Sequence, residues 1–247
     1  EWLSGSDTQE ILRTFVHKTP ADVFIPAGGR PGTLNQFNVA DFLDQSHCPT
    51  AKAIIEGANL YLEPEARAFL EQKGTIIIKD SSANKGGVIC SSFEVLASLC
   101  ITAEEFLKEK AEFVQEVLAI IGRAALNESR LVLSSFQKMG GSTTELCDLV
   151  SARINLFKYQ LLDYFETIEL PKDPSDPLIR CLLLYCPPLL RKRYPERILA
   201  MPEIHKKAVI ACFIAARLVY SRGLDWSPTV IDILSTLATD PHIFKES

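Results

Sequence analysis

The sequence predicts an α/β plus all-α protein: a partial parallel sheet of about three strands, followed by a C-terminal helical bundle. Three observations carry that prediction. Three short β-branched or aromatic runs, Asp22-Val23-Phe24-Ile25, Ala53-Ile54-Ile55-Glu56 and Thr75-Ile76-Ile77-Ile78, each run into a loop rich in small residues. Helical patterns separate them, which is the layout of a parallel sheet with crossover connections. After Thr102 the apolar spacing is helical throughout, with no convincing strand.

The elements follow in order. Ser6-Asp7-Thr8-Gln9 reads as a helix start leading into Ile11, Leu12, Phe15 and Val16, and Lys18-Thr19-Pro20 ends that helix. Strand 22–25 follows and runs into Pro26-Ala27-Gly28-Gly29. Asn38–Leu43 reads as a short helix, and strand 52–56 runs into Gly57-Ala58-Asn59. Pro64 suits a first helical position and Gly74 a C-cap, so a helix is expected between them. Strand 75–79, a loop over Asp80–Gly87 and a helix carrying Phe93, Val95, Leu96 and Leu99 complete the α/β part. Thr102 with Glu105, and Ser142 with Glu145, are capping boxes. The first opens a helix whose apolar face is Phe106, Phe113, Val114, Val117, Leu118 and Ile121. The second opens one carrying Leu146, Leu149, Val150, Ile154, Leu156, Phe157, Leu161 and Leu162. Pro171, Pro174 and Pro177 mark a linker, and helices fill 177–185, 188–193, 202–221 and 228–238. The expected domains are 1–101 and 102–247.

Composition narrows the class. Among 247 residues, 47% are hydrophobic and 23% charged, the balance of an ordinary globular chain. Net charge is −5 and no basic stripe occurs, which argues against a nucleic-acid partner. The longest apolar runs, such as Ala208–Leu218, are too short to span a membrane. The seven cysteines are odd in number and lack Cys-x-x-Cys spacing, and His17, His47, His205 and His242 are scattered, so no metal site is expected. Unpaired cysteines in helical patterns suit a reducing cytoplasm. Glu1-Trp2-Leu3-Ser4 lacks an initiator Met and a signal pattern and reads as the start of a fragment.

Ligands of parallel sheets bind beyond the carboxyl ends of the strands, where Asn59 and Asn84 each offer an amide donor and acceptor. The motifs there are Ala27-Gly28-Gly29-Arg30-Pro31, Glu56-Gly57-Ala58-Asn59 and Lys79-Asp80-Ser81-Ser82-Ala83-Asn84-Lys85-Gly86-Gly87-Val88. Through them the chain resembles glutamate dehydrogenase, most of all the C-terminal part of the large NAD-specific type. The resemblance covers residues 21–95 and implies that the sheet is the C-terminal half of a Rossmann-like dinucleotide-binding domain. It implies NAD as cofactor and oxidative deamination of L-glutamate to 2-oxoglutarate and ammonia. By the same resemblance Ala27 and Gly28 lie beside the adenosine half of the cofactor, and Asn59 faces the nicotinamide or its ribose. Asn84 helps hold cofactor and substrate, and Gly87 lines the cofactor cleft. Val88 lines the cleft on the substrate side, and Ser91 binds the distal carboxylate of glutamate. A homo-oligomer is implied as well.

The chain departs from the family pattern in what it lacks. The catalytic lysines and aspartate, and the Gly-x-Gly-x-x-Gly phosphate turn, belong to the part of such enzymes that precedes this segment. No catalytic residue is therefore expected here, and the missing N-terminal part is an expected partner. A sheet of three strands without that part is expected to expose an edge.

Simpler readings stand beside these. Asn59 suits a turn. Ser91 suits a hydroxyl satisfied by its own helix. Lys79 and Lys85 read as solvated loop charges or phosphate neighbours, Arg30 as a loop brace, and Arg191-Lys192-Arg193 as a solvated helix end. A regulatory or oligomerisation module without catalysis, or a separate helical binding protein on a degenerate nucleotide fold, are the competing functions.

Overall fold

A computed structural model describes residues 15–240, together with Gly5 and Thr8. The helix expected around Ile11 and Leu12 lies outside the described residues.

Contacts group the chain into two units. One holds residues up to Asn84 together with Val132–Asp148; the other holds Lys85–Leu131 and the residues from Leu149 onward. The first unit contains three parallel strands in the order β1-β2-β3: β1 Ala21–Phe24, β2 Ala51–Ile55 and β3 Ile76–Ile78. Their register pairs Val23 with Ala53 and Ala53 with Ile76. Helix α1, Pro64–Gln72, connects β2 to β3, with proline at its start and Gly74 at φ 91° just past its end. Asn38–Leu43 forms a 3-10 turn over Val39–Phe42 rather than an α-helix. The loop expected over Asp80–Gly87 contains one helical turn, α2, Asp80–Ala83. The Asp80 carboxylate starts that turn by accepting the Ser81 N–H at 2.8 Å.

Ile54, Ile77, Phe42, Leu62, Ala66 and Leu70 form the buried centre of this unit. His17, Phe24, Phe42 and Tyr61 pack ring against ring along one side, and His17 meets the Tyr61 hydroxyl at 2.9 Å. Burial pushes the pKa of His17 down, against the pull of Asp41, and so favours the neutral ring.

The two sheet edges differ. On β3 the Ile77 N–H donates to the Thr143 hydroxyl at 2.9 Å, and that hydroxyl donates to Glu71 at 2.8 Å. The Glu71 carboxylate also accepts from Ser142 Oγ, Thr144 N and Thr144 Oγ1, so one acid gathers the segment 142–144 against β3. Ser142 caps Glu145 N at 3.1 Å, as its capping-box reading requires, but its own hydroxyl proton goes to Glu71. Thr143→Val is expected to cost about 1–3 kcal/mol, because it leaves the buried Ile77 N–H without an acceptor. Urea denaturation of the variant reads this directly.

β1 has no further strand on its outer side among the described residues, and Val23 and Ile25 are 45% and 58% exposed. This is the open edge expected of a partial sheet, and such edges invite pairing.

The second unit is helical: α3 Gly86–Cys100, α4 Ala103–Met139, α5 Thr143–Glu166, α6 Pro177–Tyr185, α7 Pro188–Arg193, α8 Pro195–Leu199, α9 Glu203–Arg222 and α10 Val230–Thr239. Helices α4 and α5 each contribute residues to both units. Helix α9 packs on α6, and Phe157, Leu161, Phe165, Leu182, Leu190, Ile210, Ile214 and Leu218 are buried. Phe113 and Val117 are buried as expected for α4, but Val114 and Leu118 are 38% and 55% exposed, so the buried stripe is narrower than the apolar pattern.

The Thr102 capping box forms as predicted. Thr102 N donates to Glu105 at 2.8 Å and Glu105 N to Thr102 Oγ1 at 3.3 Å. Arg197 clamps the same carboxylate with both terminal nitrogens at 2.7 and 2.9 Å. The Arg197 hydrogen bonds, aided by Thr102 N–H, hold the Glu105 pKa down from 4.5 to about 2. A depressed carboxylate pKa stabilises the fold above the ordinary value, and that stabilisation is lost as pH falls through the folded value. The Tm gap between wild type and Glu105→Gln should therefore be constant above about pH 4.5 and close as the pH falls towards about 2. Thermal melts across that range check it.

Candidate functional site

The carboxyl ends of β2 and β3 lead into the two asparagine motifs, both within the first unit. Asn59 is exposed and Asn84 partly buried, and Asn84 Nδ2 donates to Asn59 Oδ1 at 2.7 Å. The bond consumes one donor and one acceptor. The pair still carries the Asn59 Nδ2 donor and the Asn84 Oδ1 acceptor, the two kinds of group that a carboxamide or a pair of hydroxyls would need.

The turn after β2 is stitched to the end of β1. Ala58 N donates to Pro26 O at 2.7 Å. A Cβ on Gly57 would stand 3.3 Å from Pro26 O and 3.6 Å from the Ala27 Cα, so glycine is what allows the two strand-end loops to approach. Ala27 and Gly28 are exposed at this end of the sheet, and a Cβ on Gly28 would meet nothing within 4 Å.

Leu60, next to Asn59, has φ +54° with its side chain 58% exposed. A branched residue in the left-handed region costs about 1–3 kcal/mol and persists only where its surroundings hold it. Here they do: Leu60 N donates to Asp80 Oδ2 at 2.8 Å, and Leu60 O accepts from Gly32 N at 2.8 Å.

Beneath this loop lies a buried charge network. Arg67 of α1 donates through Nε and Nη2 to the two Glu56 oxygens at 2.6 and 2.8 Å, and its Nη2 stands 3.7 Å from Asp80 Oδ1. The side chains of Arg67, Glu56 and Asp80 are 6%, 0% and 10% exposed. Burial pushes the Glu56 pKa up, opposed by the Arg67 hydrogen bonds and charge.

Gly87, Val88 and Ser91 lie on the first turns of α3, in the second unit. Gly87 is exposed and Val88 is 70% exposed. The Ser91 hydroxyl is exposed and donates to Val88 O at 3.1 Å, the satisfied helical hydroxyl of the simpler reading; to bind a carboxylate its proton must rotate from that carbonyl towards the ligand. Within the same unit Lys85 donates to Glu128 at 2.5 Å, and the Tyr220 hydroxyl reaches the other Glu128 oxygen at 2.5 Å.

One charge reading is corrected. Lys79 is no solvated loop charge: it is bound to both Asp148 oxygens at 2.7 and 2.8 Å, and Lys85 is held by Glu128. Arg193 is the exposed helix end expected, and it also pairs with Glu109 and with Glu112, the latter at 2.6 Å. In each case the partner lies far along the chain and carries no local signal.

Residues 4–135, just over half of the chain, match the family described as Glutamate/Leucine/Phenylalanine/Valine dehydrogenase. The chain belongs to this dehydrogenase family. It is 34% identical to "Glutamate dehydrogenase 2" of Dictyostelium discoideum over 87% of its length and 22% of that protein. It is 32% identical to "Probable NAD-specific glutamate dehydrogenase" of Schizosaccharomyces pombe, over 92% of this chain and 21% of that one. It is 31% identical to "NAD-specific glutamate dehydrogenase" of Saccharomyces cerevisiae, over 90% and 22% of the two chains. The chain thus spans about a fifth of the length of the curated relatives it matches. No solved structure matches it. No helix among the described residues is long and apolar enough to cross a membrane.

Within this dehydrogenase segment, Glu56 and Asp80 stand in the quoted motifs without a role of their own, and Arg67 lies outside them. A signal was present: Glu56 closes an otherwise apolar strand run, and Arg67 sits between Ala66 and Leu70 on the buried side of α1. A charge in such a place needs a partner.

Proposed function

We propose that this chain supplies the C-terminal half of the dinucleotide-binding domain, and the helical region after it, of an NAD-dependent glutamate dehydrogenase. The reaction is oxidative deamination of L-glutamate to 2-oxoglutarate and ammonia. The observation that carries the reading is the Asn59–Asn84 pair at the carboxyl ends of adjacent parallel strands, where sheets of this kind bind their ligands. The family membership and the names of the relatives support it.

The residues present fit NAD. The leftover donor and acceptor of the asparagine pair match a carboxamide or ribose hydroxyls, and the open backbone at Gly28 leaves room for a ligand close to the chain. When bound, NAD accepts the hydride from the substrate α-carbon. This chain's part is to orient and enclose: Asn59 and Asn84 hold the cofactor face, Ala27 and Gly28 accommodate the adenosine half, and Gly87 and Val88 line the cleft. Ser91 receives the distal carboxylate of glutamate. The proton-transferring and substrate-clamping residues come from the preceding part of the enzyme, which is the chief partner of this segment. We further place the protein in the cytoplasm, as a homo-oligomer; none of the seven cysteines is in a disulfide, which suits a reducing compartment.

Two measurements test the reading. The full-length protein should form NADH from glutamate, while the chain of residues 1–247 alone should form none. Activity in the isolated chain, or none in the full-length protein, would refute it. Ser91→Ala should raise the KM for glutamate about ten- to hundredfold, the equivalent of one charge-assisted hydrogen bond of roughly 1.5–3 kcal/mol. Norvaline lacks the distal carboxylate. An equal loss with norvaline would remove Ser91 from the site.

A further inference from the structure

We propose that Asp80 is the positioning residue of the asparagine pair, one side chain and one carbonyl that set both Asn59 and Asn84. The inference rests on the functional reading of that pair.

Asp80 touches both arms. Its Oδ2 accepts the Leu60 N–H at 2.8 Å, which fixes the residue directly after Asn59. Its main-chain oxygen accepts the Asn84 N–H at 2.9 Å, which fixes Asn84 itself. Its Oδ1 accepts the Ser81 N–H at 2.8 Å and starts the single helical turn that ends at Asn84. The two asparagines stand on different strand-end loops, 25 residues apart, yet meet at 2.7 Å. Asp80 ties the two loops together by bonding to both.

The left-handed backbone at Leu60 points the same way. Its φ of +54° is one a leucine adopts only when held, and its apolar side chain is left 58% exposed. Packing does not hold it there. The Asp80 bond to its N–H and the Gly32 bond to its carbonyl do. Strain kept in place by a buried carboxylate, next to a residue presented to solvent, is a feature of sites built to present that residue.

Asp80 is itself braced. Arg67 lies against it at 3.7 Å and is locked by its two-pronged bond to Glu56. A carboxylate with one oxygen on Leu60 N–H and the other facing Ser81 N–H and Arg67 has few alternative orientations, so a short, rigid side chain sets the loop geometry.

The experiment uses the full-length dehydrogenase and three variants: Asn59→Ala, Asp80→Ala and Asp80→Asn. The asparagine oxygen can still accept the Leu60 N–H; the alanine cannot. Asp80→Ala is expected to lower kcat about tenfold or more, as misplacement of a bound reactant does, while the KM for glutamate changes by less than about twofold. Asp80→Asn should recover kcat to within about threefold of wild type. If Asp80→Ala does not fold, Asp80→Ser takes its place: it keeps a hydroxyl at the helix start, is too short to reach Leu60, and must show the same loss.

Wild-type kcat in Asp80→Ala or its serine substitute overturns the proposal. So does an Asn variant that folds yet is as slow as the alanine, since an acceptor kept for the Leu60 N–H would then not be enough to set the pair. Asn59→Ala separates the two layers. If it leaves kcat unchanged, the functional reading of the pair falls and the proposal with it. If it lowers kcat while Asp80→Ala does not, only the positioning role falls.

Discussion

Arg67→Ala should destabilise the first unit by about 3–5 kcal/mol, the largest single-residue stability effect expected in this chain. The guanidinium is the sole cation bonded to Glu56 among the described residues, and the Glu56 side chain is fully buried. Removing Arg67 leaves that carboxylate with no opposite charge and only the Leu62 N–H to balance its desolvation, and burial already pushes its pKa up. Urea unfolding of Arg67→Ala, followed by the double variant Arg67→Met with Glu56→Leu, decides the cause. If the loss comes from an orphaned buried charge, the double variant should regain most of it, because apolar replacement of a buried pair is often neutral or stabilising. A double variant as unstable as Arg67→Ala would mean that the pair contributes stability on its own account.

Asn59→Ala should carry the largest kinetic effect. Asn59 supplies the acceptor that Asn84 binds and carries a further amide donor, so its loss removes one candidate ligand group and releases the other. In the full-length enzyme kcat is expected to fall about a hundredfold, the scale of a misaligned reacting pair. The KM for glutamate should move little, because the proposed function gives the distal carboxylate to Ser91, on the Gly86–Cys100 helix, and not to Asn59. Steady-state kinetics with glutamate and NAD checks both. A glutamate KM effect as large as the kcat effect would show that Asn59 contacts substrate rather than cofactor.

The open edge of β1 bears on how these variants are handled. Val23 and Ile25 are exposed at β1, whose outer edge has no further strand among the described residues, so the isolated chain is expected to self-associate as concentration rises. Light scattering over a concentration series reads this, and Val23→Lys should reduce it. A strictly monomeric chain would mean that residues outside the described range cover the edge.

Much of the fold was legible because its signals are local. A β-branched run followed by small residues reports a strand and its end, and β1, β2 and β3 lie within one or two residues of where the runs place them. Pro64, Gly74 and the Thr102–Glu105 box mark helix ends through contacts three or four residues long. The same locality explains the misses. The apolar stripe of α4 reads Val114 and Leu118 as buried, but how much of a stripe is covered depends on what packs there, and both stay exposed.

The sequence by itself determined the strand-end motifs, the dehydrogenase resemblance and the order of helices, because propensity, capping and motif spacing are written within a few residues. Only the tertiary structure decided where the charges go. Lys79 finds Asp148 69 residues away, Lys85 finds Glu128 43 away, and the Ile77 amide finds the Thr143 hydroxyl 66 away. It also decided that Asn84 meets Asn59 and that Asp80 reaches Leu60. Charge and hydrogen-bond partners are chosen by distance in space, and a buried polar group takes whichever complement the packing brings within about 3 Å.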